Sequence, residues 1–256
     1  APIPAALHER MAKVLPEGAQ VHTPYGATEC LPVATVSSEE ILGGAGEQTA
    51  DGAGVCVGWP VAPNSVHIIA IDDAVLSTWA DVRELPVGEV GEIVVRGPTT
   101  TQSYFNRERS TALAKVAADD GGDHFHRMGD VGYFDRSGRL WFCGRKSQRV
   151  ETAAGPRFTS QVEMVFNHHP DVFRTALVGV GPRGAQRPVL CVELEAAAKK
   201  IRRETVIGGL ARIAHGCAVT RGIDTFLFHP GFPVDVRHNA KIGREALAVW
   251  ARKALS

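Results

Sequence analysis

Gly129-Asp-Val-Gly-Tyr-Phe-Asp-Arg-Ser-Gly-Arg-Leu140, which runs through Trp141 and Phe142 into Cys143-Gly-Arg145, is the stretch on which the reading of this chain turns. Its second half is a hairpin by composition. Asp135-Arg-Ser-Gly138 supplies the acceptor side chain and the glycine that a tight turn uses, and Arg139-Leu-Trp-Phe142 is a short strand. The first half is less plain: on local grounds Asp130, in Met128-Gly-Asp-Val-Gly132, is a turn residue. Arg145 follows the strand.

The same stretch ends where the charge balance reverses. Residues 1–143 carry 10 Lys+Arg against 19 Asp+Glu and residues 144–256 carry 18 against 9, so parts of −9 and +9 compose the net charge of zero. A domain boundary is expected near Gly144. The positive charges of the second part are scattered through apolar-periodic segments without an aromatic RNA-binding signature, so no nucleic-acid partner is expected. An acidic partner domain or a phosphate-bearing substrate suits them better.

Before the boundary, Ile3-Pro-Ala-Ala-Leu-His-Glu-Arg-Met-Ala-Lys-Val-Leu15 has helical spacing and stops at Pro16. Residues 18–36 mix turn-formers with β-branched residues. Short strands then follow at Ser65–Ile71, Gly91–Arg96 and Arg139–Phe142, which predicts a small β-rich subdomain. After the boundary the order becomes strand, helix (160–168), strands (175–180 and 189–194), helix (199–214), strand (225–228) and helix (243–254), the alternation of a compact α+β domain. His168-His169, before Pro170, closes a helix. The five cysteines are odd in number and lack CxxC spacing, so buried thiols are expected and neither disulfides nor zinc. No run of 18 apolar residues occurs, so no transmembrane segment is expected, and a cytoplasmic location is.

Tyr25-Gly-Ala-Thr-Glu29, the opening stretch and Val236-Arg-His-Asn-Ala-Lys-Ile-Gly-Arg244 stand in this order with Gly58-Trp-Pro60 and Gly88-Glu-Val-Gly-Glu-Ile-Val-Val-Arg-Gly97 between them. Together they resemble the later motifs of the acyl-adenylate-forming (AMP-binding) superfamily. That resemblance covers nearly the whole chain. It implies a mixed α+β / α/β fold: residues 1–143 as the C-terminal part of a large AMP-binding domain, and 144–256 as a small mobile C-terminal domain on a hinge near 144–150.

It also implies roles. Tyr25 would stack on adenine, with Gly26 beside it in the nucleotide site; Thr28 would meet the phosphate, and Glu29 the Mg²⁺ that accompanies ATP. A π-face, a hydroxyl and a hard carboxylate suit those partners. Asp130 would hold the ribose hydroxyls and Arg145 the ribose or phosphate. Lys241 would reach the site during adenylation, where a compact ammonium stabilises charge between carboxylate and α-phosphate.

The family's Ser/Thr/Gly-rich phosphate loop lies upstream of Tyr25 and has no counterpart here, so the resemblance implies a fragment, inactive without its N-terminal half. Ser147 stands where many acyl-CoA synthetases have Asp or Lys, and Gln148-Arg-Val-Glu-Thr-Ala-Ala-Gly-Pro-Arg-Phe-Thr159 departs from their hinge pattern, which weakens the case for a CoA thioester. Thr23–Ala34, Arg174–Val180 and Val234–Ile242 look most like the β-lactone synthetases of bacterial long-chain olefin biosynthesis. The resemblance then implies adenylation of a long-chain fatty or β-hydroxy acid, with pyrophosphate released and the β-hydroxyl closing a β-lactone within the molecule. Assembly with other pathway enzymes is a partner reading that stays open. A fatty acyl-CoA ligase and a non-catalytic assembly module are the alternatives.

Overall fold

The computed structural model describes residues 3–200, 202–235 and 238–256, with the side chains of 238–240 excepted. The chain divides into two compact units. Residues up to Gly46 together with Val55–Ser147 form the first, and Glu47–Gly54 with Gln148–Ser256 form the second.

The first unit is built on an antiparallel sheet of eight strands: β1 (His22–Ala27), β2 (Cys30–Ser37), β3 (Val55–Pro60), β4 (Ser65–Ile69), β5 (Gly91–Arg96), β6 (Lys115–Val116), β7 (Phe125–Phe134) and β8 (Leu140–Arg145). The path across it is β1-β2-β3-β8-β7-β5-β4, and β6 pairs with β7 off that path. Strand alternation explains why both faces are apolar. Ile93 and Val95 face a cluster with Ile68, Val33, Val57 and Leu140, whereas Val94 turns to Ile69, Val116 and Phe125, and Ile93, Val94 and Val95 are all fully buried. Helices α1 (Ala5–Ala12), α2 (Ser38–Glu40), α3 (Gly46–Ala50) and α4 (Glu108–Ala114) are short, α3 crossing into the second unit.

Strand β7 decides against the alternative reading of Asp130 as a turn residue. Met128-Gly-Asp-Val-Gly132, which reads as a turn, lies within this ten-residue strand. Its pairing is irregular on both sides. Against β5 the register steps from Glu92↔Val131 to Val94↔Arg127, and against β8 it shifts between Val131 and Gly132. Gly129 takes φ +67 at this bulge, so the residues that imitate a turn are those that bend the strand and re-aim Asp130. The hairpin from β7 to β8 is as expected: Asp135 Oδ1 accepts from Ser137 N and Arg139 N, each at 2.9 Å.

In the second unit, β11 (Val172–Val180) and β12 (Arg187–Leu194) are antiparallel and β13 (Phe226–Phe228) joins β12 in parallel, while β9 (Val150–Thr152) and β10 (Gly155–Arg157) form a hairpin. Helices α5 (Thr159–Phe166) and α6 (Arg203–Gly216) bring Val162, Phe166, Val206 and Leu210 onto the face that shows Leu177 and Leu190. Helix α7 (Arg244–Ala254) brings Leu247 and Ala251 onto the face of Ala176, Val178, Val189 and Cys191. This is the α+β arrangement read from the alternation of elements. His168 also takes its expected place just past α5, with Nδ1 2.8 Å from the Met164 carbonyl.

The division itself lies four residues beyond the charge boundary. Strand β8 continues through Arg145, and Lys146 ion-pairs with the buried Glu92 of the first unit at 3.0 Å, so the chain leaves that unit after Ser147. Residues 47–54 belong with the second unit for a packing reason invisible to charge counting. Cys217 Sγ donates to the Asp51 carbonyl at 3.2 Å and Gln161 Nε2 to the Ala53 carbonyl at 3.4 Å. All five cysteines are free thiols, and among the described residues no helix is long and apolar enough to cross a membrane.

Two glycines separate strain from collision. A Cβ on Gly58, at φ +82, would lie 1.9 Å from the Thr35 carbonyl oxygen on the neighbouring strand, whereas one on Gly129 would meet nothing within 4 Å. Gly58→Ala is expected to cost about 3 kcal/mol or more, and Gly129→Ala only the left-handed backbone penalty of about 1–2 kcal/mol. Urea denaturation of both variants checks this, and equal losses would contradict it.

Candidate functional site

Strands β1, β7 and β8 bring three of the sequence candidates together. Tyr25 Oη donates to Asp130 Oδ2 at 2.7 Å, and Arg145 Nη1 lies 2.8 Å from Asp130 Oδ1. The geometry follows from the sheet: β8 lies between β7 and β3, Asp130 and Arg145 are direct cross-strand partners, and the bulge at Gly129 fixes the local direction of β7. Asp130 is 3% exposed, whereas the Arg145 side chain is half exposed. Both carboxylate oxygens are engaged, Oδ2 by the Tyr25 hydroxyl and Oδ1 by the Arg145 guanidinium, and a carboxylate oxygen has a second lone pair for a further donor. A carboxylate held by one donor on each oxygen can still accept hydroxyl groups from a ligand through its remaining lone pairs.

Burial dominates the electrostatics here. It pushes the Asp130 carboxyl up to about 6 against the opposing pull of Arg145 and the Tyr25 hydrogen bond, and it raises the Tyr25 phenol, with the Asp130 charge adding to the effect.

Thr28 and Glu29 form the two-residue turn between β1 and β2, closed by the Ala27↔Cys30 pair. Thr28 is exposed. Gly26 permits the turn's close approach, since a Cβ there would lie 2.5 Å from the Cys30 carbonyl oxygen. Glu29 Oε1 accepts a hydrogen bond from Tyr104 Oη at 2.8 Å. Burial raises the Glu29 carboxyl, but that bond, with the nearby His126 and Lys115, outweighs it and leaves the group below its ordinary value. Burial pulls Lys115 down against the attraction of Glu29, and burial together with Lys115 takes His126 down to about 4. Tyr104, Lys115 and His126 were not candidates on sequence. The one available signal was a lysine inside the apolar run Ala112-Leu-Ala-Lys-Val116.

Among the described residues no group of three or more His, Cys, Asp or Glu side chains could hold a metal ion. A cage built from protein alone is therefore not the fit. A single ionised carboxylate does suit Mg²⁺, which commonly takes one or two carboxylates and fills its sphere with phosphate oxygens and water.

Lys241 is exposed on β15 (His238–Ile242), which pairs with β14 (Val234–Asp235) in the second unit. Arg244, three residues on, ion-pairs with the buried Glu163, tying the start of α7 to α5. Val236 and Arg237 of the same motif lie outside the described residues.

Residues 1–105 match the family described as AMP-binding enzyme. The chain is 56% identical over 254 residues to an olefin beta-lactone synthetase of Xanthomonas campestris, covering 98% of this chain and 46% of the relative. It is 58% identical over 262 residues to an olefin beta-lactone synthetase of Stenotrophomonas maltophilia, covering 100% of this chain and 46% of that relative. Along its length the chain is thus similar to members of the acyl-adenylate-forming, AMP-binding superfamily. Among solved structures it resembles an amide bond synthetase of Marinactinospora thermotolerans at 25% identity and a TM-score of 0.72, covering 96% of this chain and 44% of that one. The chain spans about half the length of the curated relatives it matches.

The Asp130 site has a measurable pH signature. Its folded value of about 6 lies above the ordinary 3.8, so its contribution to stability is present below pH 3.8 and is lost as pH rises through 6. His126, at about 4 against 6.5, acts in the opposite sense: its contribution is present above pH 6.5 and is lost as pH falls toward 4. Comparing wild type with Asp130→Asn isolates the first. The variant should gain stability relative to wild type between about pH 4 and 6, reaching about 3 kcal/mol and then levelling. A constant difference across pH 4–8 in thermal unfolding would contradict burial as the source of the shift.

Proposed function

We propose that this chain is the C-terminal part of an ATP- and Mg²⁺-dependent enzyme that adenylates a long-chain β-hydroxy acid and lets its hydroxyl close a β-lactone. The observation that carries the nucleotide reading is the buried Asp130 carboxylate, braced by Tyr25 on one oxygen and by the half-exposed Arg145 on the other. The substrate reading rests on the olefin beta-lactone synthetases, which are similar to this chain over its whole length.

In this reading Asp130 accepts the ribose hydroxyls and Arg145, at the open edge, meets ribose or phosphate. Tyr25 offers its ring to adenine, and Gly26 keeps the turn tight. Thr28 donates to a phosphoryl oxygen. Glu29 holds the Mg²⁺ that neutralises the phosphates when ATP is bound. A carboxylate oxygen of the acid attacks the α-phosphorus, the bond to the β-phosphate breaks, and pyrophosphate leaves. Lys241, a compact ammonium, stabilises the negative charge gathered at that junction. The β-hydroxyl then attacks the acyl carbon, its proton is lost to base, and AMP departs. That second step needs no CoA because the nucleophile is tethered. The mobile second unit, an N-terminal half supplying the phosphate loop, and a cytoplasmic setting complete the proposal.

Two measurements on the complete protein test it. Incubation with a β-hydroxy acid, ATP and Mg²⁺ should give AMP, pyrophosphate and lactone whether or not CoA is present; a product that requires CoA would favour an acyl-CoA ligase and overturn the lactone step. Lys241→Ala should slow pyrophosphate release by about 10²–10³ with folding unchanged. Wild-type release by that variant would remove Lys241 from the chemistry.

A further inference from the structure

Glu29 is secured by a loop that none of the motifs includes. Thr101 N donates to the Glu29 carbonyl oxygen at 2.8 Å, and Tyr104 Oη donates to Glu29 Oε1 at 2.8 Å, so the main chain and side chain of Glu29 are gripped from the same loop. A second set of bonds fixes where this loop begins. Thr99 Oγ1 shares a hydrogen bond with Cys30 Sγ at 3.2 Å and donates to Asn64 Oδ1 at 3.0 Å, while Asn64 Nδ2 donates to the Pro32 carbonyl at 2.9 Å.

The far side of the loop rests on Lys115. Its ammonium donates to the Thr101 carbonyl oxygen and, at 3.3 Å, to Thr101 Oγ1. Lys115 is 6% exposed, and burial pulls its ammonium down against the attraction of the nearby Glu29. Burying an ammonium is costly, and a hydrophobic side chain would suit the same volume at lower cost. The loop it anchors reaches Glu29 through two residues, Thr101 and Tyr104.

We propose that Tyr104 and Lys115 are positioning residues for Glu29. Tyr104 engages Oε1 and thereby sets the carboxylate plane, leaving Oε2 to the Mg²⁺ of Mg·ATP; Lys115 locks Thr101 and so holds Tyr104 in reach. Hydrogen-bond partners of a ligating carboxylate orient it in this way, and their loss typically lowers metal affinity by about 10–100-fold. The inference rests on the reading of Glu29 as the metal-bearing carboxylate.

The test is nucleotide affinity in the complete protein, with Mg·ATP and metal-free AMP as probes, for wild type, Glu29→Gln, Tyr104→Phe and Lys115→Met. Tyr104→Phe keeps the ring, and thermal unfolding verifies that each variant is folded. Tyr104→Phe and Lys115→Met should weaken Mg·ATP by about 10-fold or more while AMP, held through Asp130, stays within about twofold. If Glu29→Gln leaves Mg·ATP binding unchanged, the reading of Glu29 itself fails. If Glu29→Gln weakens it and Tyr104→Phe does not, the positioning role alone is overturned. Equal loss of Mg·ATP and AMP in Tyr104→Phe would show a merely structural role and overturn it too. Should Lys115→Met not fold, Tyr104→Phe decides.

Discussion

The bracing of the Asp130 carboxylate by Tyr25 and Arg145 is the contact on which the proposed nucleotide site depends. It joins three strands, and it survives burial only because two donors face the charge. Burial still wins by enough to lift the carboxyl to about 6, so the site holds its acid at a cost in stability near neutral pH. A carboxylate kept in place against its own solvation preference and paired with a half-exposed arginine marks a candidate functional site.

The same strand carries further buried charge. Arg127, two residues before Gly129, pairs with the fully buried Glu92 at 2.7 Å and donates to the carbonyls of Ala74 and Asp72. Lys146 completes the group from the residue after Arg145. Thus Arg145 and Lys146, adjacent in sequence, are fastened to two different buried carboxylates at the last residues of the first unit. Polar networks of this kind are tolerable only when nearly every member is satisfied, and they confer one geometry on the sheet. The consequence for function is that Arg145 is presented to the site by a rigid element up to the point where the chain departs for the second unit.

Much of this was legible in the sequence because it is local or motif-borne. The Asp135 hairpin, the α+β order of the second unit, and the grouping of Tyr25, Asp130 and Arg145 through family resemblance all rest on short stretches with distinctive residues. Strand β7 was not legible, since Gly129 and Asp130 carry turn chemistry and the strand's bulge is set by its neighbours β5 and β8. Nor was the bracing of Glu29, because Tyr104 lies 75 residues away in sequence and nothing in its own segment announces the contact. The assignment of residues 47–54 to the second unit depends on Cys217 and Gln161, again distant in sequence.

Adenosine binding to the complete protein as a function of pH tests the central claim most directly, because adenosine has the ribose hydroxyls without a titrating phosphate. If the Asp130 carboxylate is the ribose acceptor, wild-type affinity should rise as pH increases through about 6, and Asp130→Asn should bind more weakly with no such rise. Wild type and Asp130→Asn binding adenosine equally, with affinity flat from pH 5 to pH 8, would contradict the account.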